Sequence, residues 1–339
     1  LADYPPLYPE CAKGTLGKGF RSNGSHRSSA AFALGNLRNS SEQIINALLP
    51  LLQDKNSIVR RYAAFALGKL GNSSEQIINA LLPLLRDKNS VVRRYAAYAL
   101  GNLGSSSGEV IDTLLPLLQD GDFYVCISAA SALGKLGSSS GEVIDALLPL
   151  LQDENFVVRD SAASALDNLG SSSGEVIDAL LTLLQDENFV VRISAASALG
   201  KLGNSSGEVI EHLLPLLQDE NFVVRDSAAS ALGKLGNSSG EVIDALLPLL
   251  QDENSDVRIS AASALGKLGN SSGEVIEHLL PLLQDENFVV RISAVSALGN
   301  LEKKYTDLVP RLVEWISEHQ DSKYVGRGID VLCDLVAEG

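Results

Sequence analysis

The sequence predicts an all-α protein, a right-handed α-α superhelix of stacked helix pairs, and three observations carry that expectation. A proline recurs with a period of 33 residues, at Pro50, Pro83, Pro116, Pro149, Pro215, Pro248 and Pro281, with Thr182 in the one slot that lacks it. Each period holds two stretches of helical apolar spacing separated by a polar break, without the two-residue alternation of a strand. The 339 residues are 45% apolar but only 5% aromatic and contain no methionine, the composition of one simple helical pattern used many times. Length alone would suggest two domains. The repeat replaces that expectation with one array, because a helix pair with an exposed apolar stripe is stable only when stacked on its neighbours.

The elements follow in order. Residues 1–26 contain Pro5, Pro6, Pro9, Gly14, Gly17, Gly19 and Gly24, which oppose a regular helix, so an irregular N-terminal segment is expected there. From Arg27 to Leu37 the pattern is that of a second helix without its first. The array over residues 27–302 is therefore a half repeat plus eight full repeats. Residues 138–170 show one unit. In its first helix Val143, Ile144, Leu147, Leu148, Leu150 and Leu151 share the apolar stripe, with Glu142, Asp145, Ala146, Pro149 and Gln152 outside. The preceding Ser-Ser-Ser-Gly supplies a cap and a turn. In the second helix Val158, Ala162, Ala165, Leu166 and Leu169 face inward, small alanines permit close approach, and Gly170 ends the helix. Residues 303–339 lose the Ser-Ser-Gly turn and gain Tyr305, Trp315 and Tyr324, as expected of a degenerate C-terminal capping repeat. A chain that opens on Leu1 and lacks methionine is expected to be a fragment, or to have its true start elsewhere.

The segment LLPLLQDENFVVRISAASALG carries a further signal, since it resembles the signature of the HEAT repeat and, more closely, of its phycobilisome-lyase-type subclass. The resemblance covers residues 38–302, with weaker copies at both ends. It implies that Asp54, Asp87, Asp120, Asp153, Asp186, Asp219, Asp252 and Asp285 form a structural ladder with Arg60, Arg93, Arg159, Arg192, Arg225, Arg258 and Arg291. Cys126 occupies the arginine position of one repeat, so the ladder is expected to weaken there. The same resemblance implies a non-enzymatic protein-interaction scaffold that binds its partner along a concave face. Similar cyanobacterial-looking arrays stand behind NACHT-type nucleotide-binding modules, which implies the sensor arm of a larger protein. The alternative it implies is a bilin lyase or isomerase acting on phycobiliproteins.

Enzymatic constellations are missing from the sequence itself, and no cofactor, metal or catalytic residue is expected. The segment AKGTLGKGF has Ala12 and Gly19 where a phosphate-binding loop needs glycine and a hydroxyl. Glu211–His212 and Glu277–His278 lie two repeats apart, about 20 Å for helices packed at about 8–10 Å, too far to share a metal. No G-x-S-x-G elbow occurs among the many serines. The Asn-x-Ser sequences at Asn23, Asn39, Asn72, Asn204, Asn237 and Asn270 recur at inter-repeat turns, where capping explains them. Cys11, Cys126 and Cys333 are odd in number and widely spaced, which points to a reducing compartment and, with no apolar run long enough to span a bilayer, to the cytoplasm.

Positions that differ among near-identical repeats point to a binding face. On the second helix, the residues one, two and five after the arginine are Arg61, Tyr62 and Phe65, then Arg94, Tyr95 and Tyr98, with serines at the latter two positions thereafter. The charge divides in the same way. Residues 1–101 hold 13 Lys and Arg against 6 Asp and Glu, a net of +7, so the remainder carries −22 of the total −15. Arg61, Tyr62, Phe65, Arg94, Tyr95 and Tyr98 are the expected anchor for an acidic or aromatic peptide, because Arg and Tyr contribute disproportionately to binding. The acidic remainder disfavours nucleic acid and anionic membranes, and the unlike ends allow head-to-tail self-association.

Overall fold

The computed structural model describes residues 24–37, 40–137, 140–269, 272–302 and 308–318, with the single residues 320, 326 and 329. Most of the irregular segment expected at 1–26, and much of the cap expected at 303–339, lies outside them. The described residues are helical, without strands. Contacts divide the chain into two compact units, Leu1–Leu147 and Leu148–Gly339. The first contains α1 (Gly24–Asn36), α2 (Glu42–Leu48), α3 (Ser57–Leu70), α4 (Glu75–Leu81), α5 (Ser90–Leu103), α6 (Gly108–Leu114), α7 (Phe123–Leu136) and α8 (Gly141–Leu147). The second contains α9 (Phe156–Leu169), α10 (Gly174–Leu183), α11 (Phe189–Leu202), α12 (Gly207–Leu213), α13 (Phe222–Leu235), α14 (Gly240–Leu246), α15 (Ser255–Leu268), α16 (Gly273–Leu279), α17 (Phe288–Glu302) and α18 (Leu308–Glu318).

The first helix of a repeat is not the uninterrupted α-helix that its apolar spacing predicts. After seven residues it tightens into a 3₁₀ turn, at Leu49–Gln53, Leu82–Arg86, Leu115–Gln119 and again in later repeats, with proline near the start of each. Proline has no N–H to donate, and its ring crowds the carbonyl four residues back, so the ladder of α bonds cannot continue through it. One repeat supplies the control within the same molecule. Where Thr182 replaces proline, α10 runs unbroken from Gly174 to Leu183, and the Thr182 hydroxyl donates to the Asp178 carbonyl at 3.1 Å.

The second helices form the packed layer of each unit. Asparagine caps most of them, as Asn56 does by accepting from the Ile58 N–H, and Asp122 takes that place in α7. Their ends are set by glycines in the left-handed region, such as Gly71 at φ +69 and Gly236 at φ +71, a conformation that side-chain-bearing residues avoid. Within the first unit α1, α3, α5 and α7 pack in succession, and within the second α9, α11, α13, α15 and α17 do so. Valine, alanine and leucine on their inner stripes, such as Val224, Ala228, Ala231 and Leu232, are essentially inaccessible to water.

At most junctions close approach rests on one glycine–alanine contact; α9 carries Asp167 at that position instead. A Cβ placed on Gly68 would come within 2.5 Å of the Ala99 Cα, and one on Gly233 within 2.8 Å of the Ala264 Cα. Neither neighbour can yield, because each is backbone of a buried helix. Alanine at an ordinary helix position is about 1 kcal/mol more favourable than glycine, yet here the overlap forces the helices apart. Gly233→Ala is therefore expected to destabilise the protein by about 1–3 kcal/mol, the usual cost of overpacking. Thermal melting followed by circular dichroism measures it, and a raised melting temperature would contradict the contact.

Candidate functional site

Two chemistries occupy the second-helix layer, one buried and one exposed. The buried one begins with an arginine one turn into the helix. Arg60 donates from Nε to Asp87 Oδ2 at 2.7 Å and from Nη2 to Asp87 Oδ1 at 2.9 Å, a bidentate pair with the next repeat. Its remaining nitrogen, Nη1, donates to the carbonyl of Asp54 in its own turn at 2.7 Å. The same arrangement links Arg93 to Asp120 in the first unit. In the second unit it links Arg159 to Asp186, Arg192 to Asp219, Arg225 to Asp252 and Arg258 to Asp285. Arg291 donates to the Asp285 carbonyl, and Asp153 accepts from the Asn155 N–H. Arg27 pairs with Asp54 at 2.8 Å, a rung the sequence reading passes over although Arg27 stands 33 residues before Arg60. Cys126, at the arginine position of α7, is buried and its Sγ contacts the Leu118 carbonyl oxygen at 3.2 Å.

Electrostatics follow from these bonds. Burial alone raises the Asp87, Asp186 and Asp252 carboxyls, but the arginine bond, the backbone N–H two residues on and the arginine charge outweigh it and hold them below 3.8. At Asp120 the bond to Arg93 is the largest influence, and the carboxyl is likewise lowered. Two further aspartates behave oppositely. Asp160 and Asp226 lie on the outer stripe of α9 and α13, each accepting a short hydrogen bond from a serine on the next second helix, Ser194 and Ser260. Burial raises both carboxyls, and the single hydroxyl only partly offsets it.

The second chemistry, a cluster of rings and cations, lies in the first unit. Phe32, Phe65 and Tyr98 form a column of near-parallel rings, with centroids 6.2 Å and 5.8 Å apart. Tyr62 meets Phe32 edge-on at 5.6 Å, and Tyr95 meets Phe65 edge-on at 5.8 Å. Cations lie over these faces: Arg61 is 4.7 Å from the Tyr62 centroid, and Arg94 is 5.7 Å from Tyr95 and 4.9 Å from Tyr124. Lys69 and Lys135 lie over Phe65 and Tyr98 while donating to Asn36 and Asn102 one repeat back. All six residues expected from the sequence thus join one connected group. Phe32, Tyr124 and the two lysines were missed. Phe32 shares the register of Phe65 and Tyr98 at intervals of 33 residues, so the period itself could have found it.

The other candidates separate. His212 and His278 each bond through Nδ1 to a carbonyl on their own helix, Glu208 and Glu274, at 2.8 Å. Among the described residues no group of three or more His, Cys, Asp or Glu could hold a metal ion, and no helix is long and apolar enough to cross a membrane. Asn72, Asn204 and Asn237 accept backbone N–H groups from Ser74, Ser206 and Ser239 in their turns; Asn23, Asn39 and Asn270 lie outside the described residues.

Two expectations follow from the buried bonds. Arg225→Ala strands the Asp252 carboxylate, and about 3 kcal/mol of stability should be lost, the lower range for breaking a buried pair. Carboxyls lowered on folding contribute stability above their unfolded values that is lost as pH falls, so unfolding should set in below about pH 4. Asp160 and Asp226 have the opposite sign: their contribution is lost as pH rises through their raised folded values. Asp160→Asn with Asp226→Asn should therefore raise the melting temperature at pH 7 and leave it unchanged at pH 3. A lower melting temperature at pH 7 would refute that reading.

A family model described as HEAT repeats matches residues 16–79, 78–167, 144–233 and 210–299. A search of curated proteins finds no match. Among solved structures, an engineered protein is 25% identical over 94% of this chain and 97% of its own length, with a TM-score of 0.52. Kap95 in a complex with Nup1 is 14% identical, with a TM-score of 0.66 over 94% of this chain and 51% of its own. Importin beta is 17% identical, with a TM-score of 0.61 over 91% of this chain and 49% of its own. The chain spans about half the length of those two proteins, and the likeness to them is one of fold. With the family model matched over most of its sequence, the chain belongs to the HEAT-repeat family.

Proposed function

We propose that the chain is a non-enzymatic protein-interaction scaffold, and that the outer stripe of α1, α3 and α5 holds an acidic peptide segment with aromatic side chains. The observation that carries this is the column of Phe32, Phe65 and Tyr98 flanked by Tyr62 and Tyr95 and covered by Arg61 and Arg94. Packing of the helix layer does not require it, because later repeats place serine at the same register and keep the same buried stripe. Tyr98 remains 38% exposed and Phe32 41%.

The chemistry selects the ligand. Rings offer flat apolar area at small cost in side-chain entropy, and the arginines already held over them need little ordering to receive a carboxylate. The +7 net charge of residues 1–101 draws an acidic segment toward this end. Likeness to Kap95, whose structures include complexes with RanGDP and with Nup1, supports a fold suited to holding other proteins.

A labelled peptide of alternating glutamate and tyrosine, titrated by fluorescence anisotropy, is the direct test. Tyr62→Ser with Tyr98→Ser, and separately Arg94→Ile, install residues that the chain itself carries at these positions elsewhere. Affinity should fall by about tenfold or more in each, as for anchors of this type, and should weaken with salt. Unchanged affinity in both variants, with unchanged helical content, would overturn the reading.

A further inference from the structure

The second unit carries another exposed feature, with different residues and the opposite charge. The turn joining the two helices of a repeat reads Asp-Glu-Asn-Phe at 153–156, 186–189, 219–222 and 285–288. Two of its four residues have structural tasks: the aspartate receives the backbone N–H two residues on, and the asparagine caps the second helix. The other two are exposed, although Arg291 lies 5.6 Å from the Phe288 ring centroid. Phe156, Phe189, Phe222 and Phe288 are 41%, 42%, 40% and 51% exposed. Glu154, Glu187, Glu220 and Glu286 are exposed, and among the described residues their carboxylates form no ion pair.

Each of these turns is also tied to the helix that follows it. The carbonyls of Glu154, Glu187, Glu220 and Glu286 each accept from Nη1 of the buried arginine five residues on, at 3.1–3.2 Å. A hollow of about 350 Å³ opens between consecutive turns, lined by Gln185, Glu187, Arg192 and Pro215. It lies where Thr182 has replaced proline and the first helix is unbroken. The fold does not demand this chemistry, since two turns of the first unit read Asp-Lys-Asn-Ser, with Lys55 and Ser57, then Lys88 and Ser90. Exposed rings repeated without a packing reason mark a surface that is covered when the protein acts.

We propose that the Glu–Phe turns of the second unit form a docking strip for an extended, arginine-rich polypeptide segment with a cation at every third residue. Charge complementarity fixes the sign of the partner, since each turn offers one unpaired carboxylate and the turns bear no exposed cation. A full negative charge on glutamate exceeds the roughly half positive charge at the adjoining helix N-terminus. Guanidinium fits both groups, donating a bidentate pair of hydrogen bonds to the glutamate carboxylate while its flat face covers a phenyl ring. Spacing fixes the register. Second helices that pack in succession are about 8–10 Å apart, and three residues of extended chain cover about 10 Å. Ser255 interrupts the row of rings after Glu253, so one step of the strip offers charge without a ring.

The test uses the full chain and two labelled 15-residue peptides of identical composition. One has arginine at every third position between serine and glycine, and the other has the same arginines clustered. At physiological salt the spaced peptide should bind at least about tenfold tighter. Phe189→Ser with Phe222→Ser should weaken it by about tenfold, as should Glu187→Lys with Glu220→Lys; all four residues introduced are those of the first unit's turns. Tyr62→Ser with Tyr98→Ser should leave it unchanged, which separates this strip from the acidic-peptide face. Equal affinity for the two peptides would overturn the proposal even if a variant failed to fold, as would wild-type affinity in folded Phe and Glu variants. Self-association of the protein alone that is lost in the Phe variant would also overturn it, by assigning the strip to a second copy.

Discussion

Most repeats are organised around one bond, from a largely buried arginine to the aspartate 27 residues further on, which α7 lacks because it carries Cys126 at the arginine position. The guanidinium uses two nitrogens on the next repeat's carboxylate and a third on the carbonyls of its own turn. The carboxylate in turn receives the backbone N–H of the residue that caps its helix. One aspartate therefore ties a turn, a helix start and a neighbouring repeat together. Because the pair is largely withdrawn from water, neither partner can be lost without stranding a charge, and the bond sets register more than it adds net stability.

With the register set, the rest of each second helix is assigned by geometry. The position eight residues after the arginine meets the neighbour's backbone and is glycine in most repeats, as at Gly68 and Gly233, whereas α9 carries Asp167 there. The inner stripe is left to alanine, valine and leucine. Only the positions one, two, five and nine after the arginine, and the two free places in the turn, carry no packing duty. Those are where the repeats differ: Arg, Tyr and Phe in α3 and α5, Asp and Ser in α9 and α13, Lys and Ser or Glu and Phe in the turns. Recognition chemistry has accumulated where the scaffold leaves residues unused.

Period, helix pairing and the composition of the buried stripes were legible in the sequence because they repeat. Features that depend on a single atom, or on the partner repeat, were less so. Proline was read as one more residue on the outer stripe, whereas its missing N–H converts the end of each first helix to 3₁₀, and only the Thr182 repeat shows the α-helix that spacing predicts. Asp and Arg six residues apart were visible as a pattern, but the arginine's carboxylate partner lies in the following repeat and the near bond goes to the backbone carbonyl. The Asp160–Ser194 and Asp226–Ser260 bonds join residues 34 apart, an offset that appears only once adjacent helices are placed. The six anchor residues emerged because repeats could be compared with one another. Phe32 escaped because the half repeat was treated as an end instead of as a register.

The two outer-stripe aspartates show how this division of labour limits the scaffold. Their carboxylates are held in surroundings that raise their titration, with only a serine hydroxyl as partner. A charge in that position costs stability at neutral pH, whereas isoleucine at the same register in α11 and α15 carries no such cost. The ladder has surplus to absorb it, because each bidentate pair is complete within its own junction and stability in a stacked array is a sum over neighbours. Variation on the outer stripe is therefore constrained junction by junction. A costly residue is tolerated where its own rung is intact, which is the case for Asp160 beside Arg159–Asp186 and for Asp226 beside Arg225–Asp252.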